Sequence, residues 1–413
     1  MNQQSKPAKN VPAFSLARQV KNMRPQFTAA LEKVLDSQSF IGGGYIETIE
    51  KQLAQYMRVK HVISCNSGTD ALTMALRVLE MPENAIVLTT PFSFIASSSE
   101  IVALGAHPVF IDIEPDTYNI DPQILEAWLQ REALVKDGKT FHRTTGFPVV
   151  GMLPVDIFGQ CANYDALHAI AKKWNLWIVE DCAQALGAQF NGKMAGTLGT
   201  IGTISFYPTK NLGAFGDAGC CVTDDDVLAE KLLTLRNHGR KRNYEYESLG
   251  VNSRLDAFQA AILSEKLPHL DRWNEQRRHV AQWYEEGLGH IPYIKLPRTK
   301  VGTHVYHQYS VIVEPLQGAP MRSKLEQHLA QCGIQTRLFY PQSLPDIAFL
   351  RTHQQLVTTC PVADFTVRNI LSLPMWPELE RDEVAYVIEN IREFFQMQAS
   401  AYNREKSCNT AAL

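Results

Sequence analysis

The chain has 413 residues, 45% hydrophobic and 20% charged, with a formal net charge of −3. This is the balance of a soluble globular protein long enough for more than one average domain and a sizeable core. It excludes the basic footprint of a nucleic-acid or anionic-membrane binder, and no uncharged apolar run reaches the roughly eighteen residues of a spanning helix.

Met1 to Asn10 is polar and lysine-containing, without the apolar centre of a secretory signal. Eight cysteines are scattered with no Cys-x-x-Cys pair, several inside apolar segments such as Gly219-Cys220-Cys221-Val222. Reduced thiols in a cytoplasmic protein with no metal site are the expectation. Cys182, beside Asp181, admits a sharper alternative as a catalytic thiol.

From residue 61 short apolar runs alternate with helical stretches. Strands are expected at His61–Cys65, Ala85–Thr90, Pro108–Ile113, Val149–Val155 and Trp177–Glu180. Helices are expected at Thr69–Leu79, Ile95–Leu104, Pro122–Leu134 and Tyr164–Trp174. Further strands fall at Thr203–Phe206 and Cys220–Thr223, and further helices at Asp225–Arg236 and Asp256–Leu267. Such alternation predicts an α/β protein with a mainly parallel sheet covered by helices on both faces. A polar stretch, 136–146, is longer than a usual connection and reads as an inserted loop.

After Pro268 the character changes to a charged amphipathic helix, Asp271–Leu288, then a strand at Tyr309–Val313 and a helix near Met321–Cys332. The expected division is a large domain over 1–270 with an N-terminal arm, a smaller α+β domain over 271–398, and a disordered tail over 399–413.

The segment Ser205-Phe206-Tyr207-Pro208-Thr209-Lys210-Asn211-Leu212-Gly213, preceded by Val179-Glu180-Asp181, is the most informative in the chain. It places a lysine and an acid after two different strands. Pyridoxal phosphate needs such a pair: an ε-amine to hold its aldehyde carbon, and a carboxylate to keep its ring nitrogen protonated. Taken alone, Lys210 reads more readily as a surface lysine. Ser67-Gly68-Thr69 lies between a strand and a helix, where free backbone N–H groups bind phosphate, although a plain Thr cap is the commoner use of such a residue.

Together with Phe40-Ile41-Gly42-Gly43-Gly44, Asn66-Ser67-Gly68-Thr69-Asp70-Ala71-Leu72, Pro91-Phe92-Ser93-Phe94-Ile95-Ala96, Glu180-Asp181-Cys182-Ala183-Gln184 and Gly250-Val251-Asn252-Ser253-Arg254-Leu255-Asp256, these segments resemble the DegT/DnrJ/EryC1 family. Its members are pyridoxal-phosphate aminotransferases of nucleotide-linked keto-sugars. The resemblance runs from about Phe14 to about Pro377 and implies the aspartate-aminotransferase-like fold.

The resemblance implies a role for each matching residue. Gly68, Thr69 and Asp70 would offer amides to the cofactor phosphate, with the Ser205 hydroxyl a second donor. Phe94 would stack on the ring, with Phe92 the competing candidate. Asp181 would pair with the ring nitrogen, and Gln184 would donate to the phenolic oxygen. Lys210 would carry the cofactor and move the proton. A histidine at that position would imply dehydration, as in a minority branch.

Asn252 would reach the cofactor, and Arg254 the substrate, of a second subunit in a homodimer, although Arg254 could equally be an ion-pair partner of Asp256. His307, Tyr309 and Tyr340 match segments near the sugar. Gly42-Gly43-Gly44 lacks the strand and spacing of a dinucleotide fingerprint and reads as a flexible segment at the substrate entrance. The reaction expected is transfer of an amine from glutamate to a keto group, at C3, of a nucleotide-linked hexose in amino-sugar biosynthesis for surface polysaccharide or lipopolysaccharide. The alternatives are a sugar dehydratase, or a non-catalytic regulatory protein on the same fold. No nucleic-acid or membrane partner is expected.

Overall fold

The computed structural model describes residues 9–242, 245–353 and 356–410. Its main element is a nine-stranded sheet. Seven strands follow one path: His61–Cys65, Gly219–Thr223, Ile201–Ser205, Trp177–Asp181, Pro148–Leu153, Ile86–Thr89 and His107–Phe110. Gly219–Thr223 runs antiparallel to both its neighbours, and the other pairings on the path are parallel.

Both faces are apolar, as a parallel sheet wrapped by helices requires. Val62, Ile86, Leu88, Ile178 and Ile204 point into one core with Leu53, Leu129 and Leu167. Their chain neighbours Ile63, Val87 and Val179 point into the other with Leu72, Leu76 and Leu232.

The remaining two strands correct the reading of 136–146 as a loop. Ala133–Lys136 and Lys139–His142 form a hairpin, and its second strand pairs antiparallel with the start of Pro148–Leu153. The turn is Asp137-Gly138, both at positive φ (51° and 72°), the pair that a two-residue hairpin turn favours. Polar residues hid it because only one face of the hairpin is covered, with Thr140 and His142 buried while Lys139 and Arg143 are exposed.

Two helices precede the first strand, Ala17–Ser37 and Gly44–Met57. The second takes in the last residue of Gly42-Gly43-Gly44. Gly42 and Gly43 hold positive φ (73° and 74°) to turn the chain, and Gly44 opens the helix.

A smaller antiparallel sheet, Ile294–Lys295, Tyr309–Val313 and Ile370–Leu373, carries a separate core. In the N-terminal arm, Val11 joins this core, with Phe14 packed against it. Val11 is fully buried there and exchanges backbone hydrogen bonds with Gly333 and Gln335. One valine in a polar arm has no core of its own, so it joins a sheet-like edge elsewhere.

The last helix is Arg381–Thr410. The expected disordered tail is therefore corrected through residue 410, and residues 411–413 lie outside the described residues. Val384, Val387, Ile388, Ile391 and Phe394 bury one stripe and hold this helix on the smaller core. Good helix formers such as Ala401, Arg404, Glu405 and Lys406 then propagate it without needing apolar periodicity. No described helix is long and apolar enough to cross a membrane.

Candidate active site

Parallel strands present their carboxyl ends to one edge of a sheet, and ligands bind there. Trp177–Asp181 ends on the candidate carboxylate, and Ile201–Ser205 beside it ends on the candidate serine, with Thr203 opposite Asp181. Beyond these ends lies a cavity of about 520 Å³. Gly68, Thr69, Phe94, Asp181, Gln184, Ser205, Lys210, His307 and Tyr340 all line it. These residues come from segments spread over 272 positions of sequence, and only the sheet brings them together.

At one end is the first turn of the helix Gly68–Val78, where N–H groups have no intrahelical acceptor. A Cβ on Gly68 would lie 2.6 Å from the Ser205 Cβ, so only glycine lets the helix start approach the strand end. The Ser205 hydroxyl accepts from the Tyr207 N–H at 3.3 Å, leaving its own proton for an anion. Asp70 departs from the reading made of it. Its N–H is taken by the capping Ser67 hydroxyl at 3.1 Å, and its carboxylate accepts from the Ser253 hydroxyl at 2.6 Å. It anchors the cradle from behind and does not line it.

Asp181 sits at the other end, 4% exposed. Its carboxylate accepts from the Ser97 hydroxyl at 3.0 Å and the Ala183 N–H at 3.1 Å. Burial pushes its pKa up, while those two donors and the charge of Lys210 oppose the shift. A cationic ring nitrogen would complete the site. Ser97, missed in the sequence, is in turn 2.8 Å from Ser93. Its signal was present, three residues after Phe94 on the following helix.

The two phenylalanines separate cleanly. Phe94 is 56% exposed on the cavity wall. Phe92 is fully buried against the rings of Tyr118, Phe158 and Tyr340. Gln184 accepts from the Phe158 N–H at 2.8 Å and donates one amide hydrogen to Tyr340 Oη at 2.9 Å, so its second N–H is left for a ligand.

Lys210 is half-buried with its amine in the cavity, and desolvation lowers its pKa to about 8. His307 is buried and neutral. Desolvation holds its pKa well below the usual value, and the charges of Lys210 and Arg277 add to this. Its Nδ1 is buried without a partner. Arg277 fixes the segment by donating to the carbonyls of Tyr306 and His307.

Tyr309 is a correction. It is 2% exposed in the smaller core, stacked on Tyr284 at 4.8 Å, because it opens the strand Tyr309–Val313 that builds that core. It does not line the cavity.

Asn252 and Arg254 do not line the cavity of their own chain either. Asn252 is exposed and accepts from Arg254 Nε at 2.9 Å, and Arg254 also donates to Asn237. Asp256, the alternative partner of Arg254, instead caps the following helix through the Gln259 N–H.

Cys182 is fully buried, and desolvation raises its thiol pKa well above the usual range, which removes it as a nucleophile. It lies with Asp156 and Glu180, ligand atoms within 4.8 Å of one another. Glu180 already accepts from the N–H groups of Gly196, Leu198 and Gly199, so its lone pairs serve the backbone. Asp156 is driven protonated by burial beside that carboxylate. A buried acid–carboxylate pair fits these contacts better than a cation site. The seven cysteines with described side chains are free thiols.

The chain matches the model of the DegT/DnrJ/EryC1/StrS aminotransferase family over residues 21–392. It belongs to this family. It is 42% identical over 395 residues to a pleiotropic regulatory protein of Geobacillus stearothermophilus, covering 94% of this chain and 99% of the relative. It is 37% identical over 383 residues to the UDP-N-acetyl-3-dehydro-alpha-D-glucosamine 3-aminotransferase of Acidithiobacillus ferrooxidans, covering 92% and 97%. The crystal structure of S. venezuelae DesV in complex with a ketimine intermediate superposes with a TM-score of 0.85 at 36% identity, covering 93% of this chain and 98% of that one. The large sheet clothed in helices is thus the fold of this aminotransferase family.

Proposed function

We propose that this chain is a pyridoxal-phosphate aminotransferase that moves an amine from glutamate to the C3 keto group of a nucleotide-linked sugar. The observation that carries the reading is the convergence of Lys210, Asp181 and the Gly68–Ser205 cradle on one cavity. Pyridoxal phosphate supplies an electron sink when bound.

The residues divide the remaining work. The first turn at Gly68 and Thr69, with Ser205, holds the phosphate. Phe94 would stack on the ring, Asp181 would hold its nitrogen, and Gln184, bonded to Tyr340, would donate to its phenolic oxygen. Lys210 would carry the cofactor and, as a free amine, would take and return the proton at the reacting carbon. A pKa near 8 leaves about a tenth of it unprotonated at pH 7, against a far smaller fraction for an ordinary lysine. His307, neutral and beside Lys210, presents an uncharged hydrogen-bonding group toward substrate.

Support for C3 comes from relatives such as the 3-aminotransferase of Acidithiobacillus ferrooxidans. A regulatory role is the second reading, favoured by the name of the Geobacillus relative. The intact catalytic set supports an enzyme. The reduced thiols suit a cytoplasmic setting. The test is a panel of nucleotide 3-keto and 4-keto sugars incubated with 15N-glutamate. Label should enter a 3-keto substrate with release of 2-oxoglutarate. Deoxygenated product, or no turnover with any sugar, would refute the assignment.

The site is also proposed to be shared between two chains. Asn252 and Arg254 stand outside their own cavity, on a segment whose Ser253 is locked against Asp70 and the Asn66 N–H. In a C₂ dimer such a segment reaches the partner's site, and the partner reciprocates. A Lys210→Ala chain mixed with an Asn252→Ala/Arg254→Ala chain should regain activity, up to about a quarter of wild type, because one site in each heterodimer receives both intact halves. No recovery after verified subunit exchange would assign the segment to its own chain.

A further inference from the structure

The Lys210 loop rests on a second lysine. Phe206 to Ala214 forms a closed turn. The Ala214 N–H donates to the Phe206 carbonyl, the Lys210 N–H donates to Tyr207, and a Cβ on Gly213 would lie 2.4 Å from the Pro208 carbonyl oxygen. Lys210 stands on this turn, and four hydrogen bonds hold it and its following residue from outside. Asn211 donates to Asn274 Oδ1 and to the Val305 carbonyl. The Phe215 N–H donates to Gln259. Lys266 Nζ donates to the Gly213 carbonyl at 2.7 Å.

Lys266 is the last residue of the helix Ala257–Lys266 and is 1% exposed. Its ammonium lies 4.3 Å from the centre of the Phe215 ring and 5.6 Å from that of Phe27, two rings packed edge to face. It makes no ion pair among the described residues. Desolvation lowers its pKa to about 8, partly offset by Glu378.

A buried ammonium with one carbonyl acceptor and two aromatic faces is a costly choice. A methionine or leucine would fill the same space between two phenyl rings. What lysine adds is the hydrogen bond to Gly213, three residues from Lys210. A flexible four-carbon side chain reaches a bound cofactor accurately only if its backbone is held.

We propose that Lys266 is a positioning residue: through the Gly213 carbonyl it fixes the turn that aims the Lys210 amine. The proposal deepens the reading of Lys210 as the cofactor lysine and rests on it. That reading is checked first in the wild-type chain, where borohydride must fix pyridoxal phosphate on the Lys210 peptide. Failure there sinks the reading itself, before Lys266 is touched.

Lys266→Met keeps length and volume and removes the donor. Two readouts avoid turnover. In the cofactor-free chain, competitive acetylation of Lys210 across pH should show its titration moving up from about 8 toward the value of a solvated lysine. Covalent capture of pyridoxal phosphate should slow about tenfold, while the affinity for pyridoxamine phosphate, which needs no attachment, stays within about threefold. General damage to the site would weaken both ligands together and would overturn the positioning role. So would unchanged acetylation and capture in folded Lys266→Met. If Lys266→Met does not fold, Lys266→Leu is read instead. It also removes the donor to the Gly213 carbonyl, and both readouts should move in the same direction. No movement would again overturn the proposal.

Discussion

Lys210→Ala is expected to lower turnover by at least about 10³-fold while leaving a folded chain. Two functions go at once, cofactor attachment and proton transfer, and positioned acid–base groups alone are worth about 10² to 10⁴ in rate. A 10³-fold loss is about 4 kcal/mol of transition-state stabilisation. Folding is spared because the side chain projects into a cavity and its ammonium is desolvated there, so removal relieves a cost. Steady-state rates with a nucleotide keto-sugar, set beside thermal unfolding of both chains, measure the two effects separately. The wild-type amine should become reactive as pH rises through about 8, because the protonated form, dominant below that value, has no lone pair. Near-wild-type turnover of the alanine chain would remove Lys210 from the chemistry.

The sheet and its ligand edge were legible because strand-length apolar runs alternate with helices from His61 to Thr223, and each core-facing residue is followed by one facing the opposite core. What periodicity carries, sequence reading finds. The hairpin at 133–142 and the helix through 401–410 carry no apolar repeat and were missed for that reason. Within the site, the residues that touch the cavity lie in short motifs next to strand ends. The groups behind them do not. Ser253 on Asp70 and Lys266 on Gly213 each bridge distant segments, and nothing local marks them. Tyr309 shows the opposite failure. It lies two residues from His307 in sequence, yet it opens the strand Tyr309–Val313 and packs into another core.

Asp181→Asn should slow the half-reaction with glutamate by about 10²-fold with little change in the folding of the cofactor-free chain. The amide can keep both existing contacts. Its oxygen accepts from the Ala183 N–H, and its nitrogen donates to Ser97, whose hydroxyl turns toward Ser93 2.8 Å away. Replacing a buried carboxylate also removes the desolvation that raises its pKa, so stability is not expected to fall. What is lost is the charge facing the ring nitrogen. A hydrogen bond to a charged partner contributes about 1.5 to 3 kcal/mol, and each 1.36 kcal/mol is tenfold in rate, which sets the expected loss. Stopped-flow absorbance of the glutamate half-reaction gives the rate, and the unfolding midpoint of the cofactor-free chain gives the control. A half-reaction as fast as wild type would make Asp181 a structural acid at a strand end. A lowered midpoint with an unchanged rate per bound cofactor would do the same, because the carboxylate would then serve only its contacts with Ser97 and Ala183.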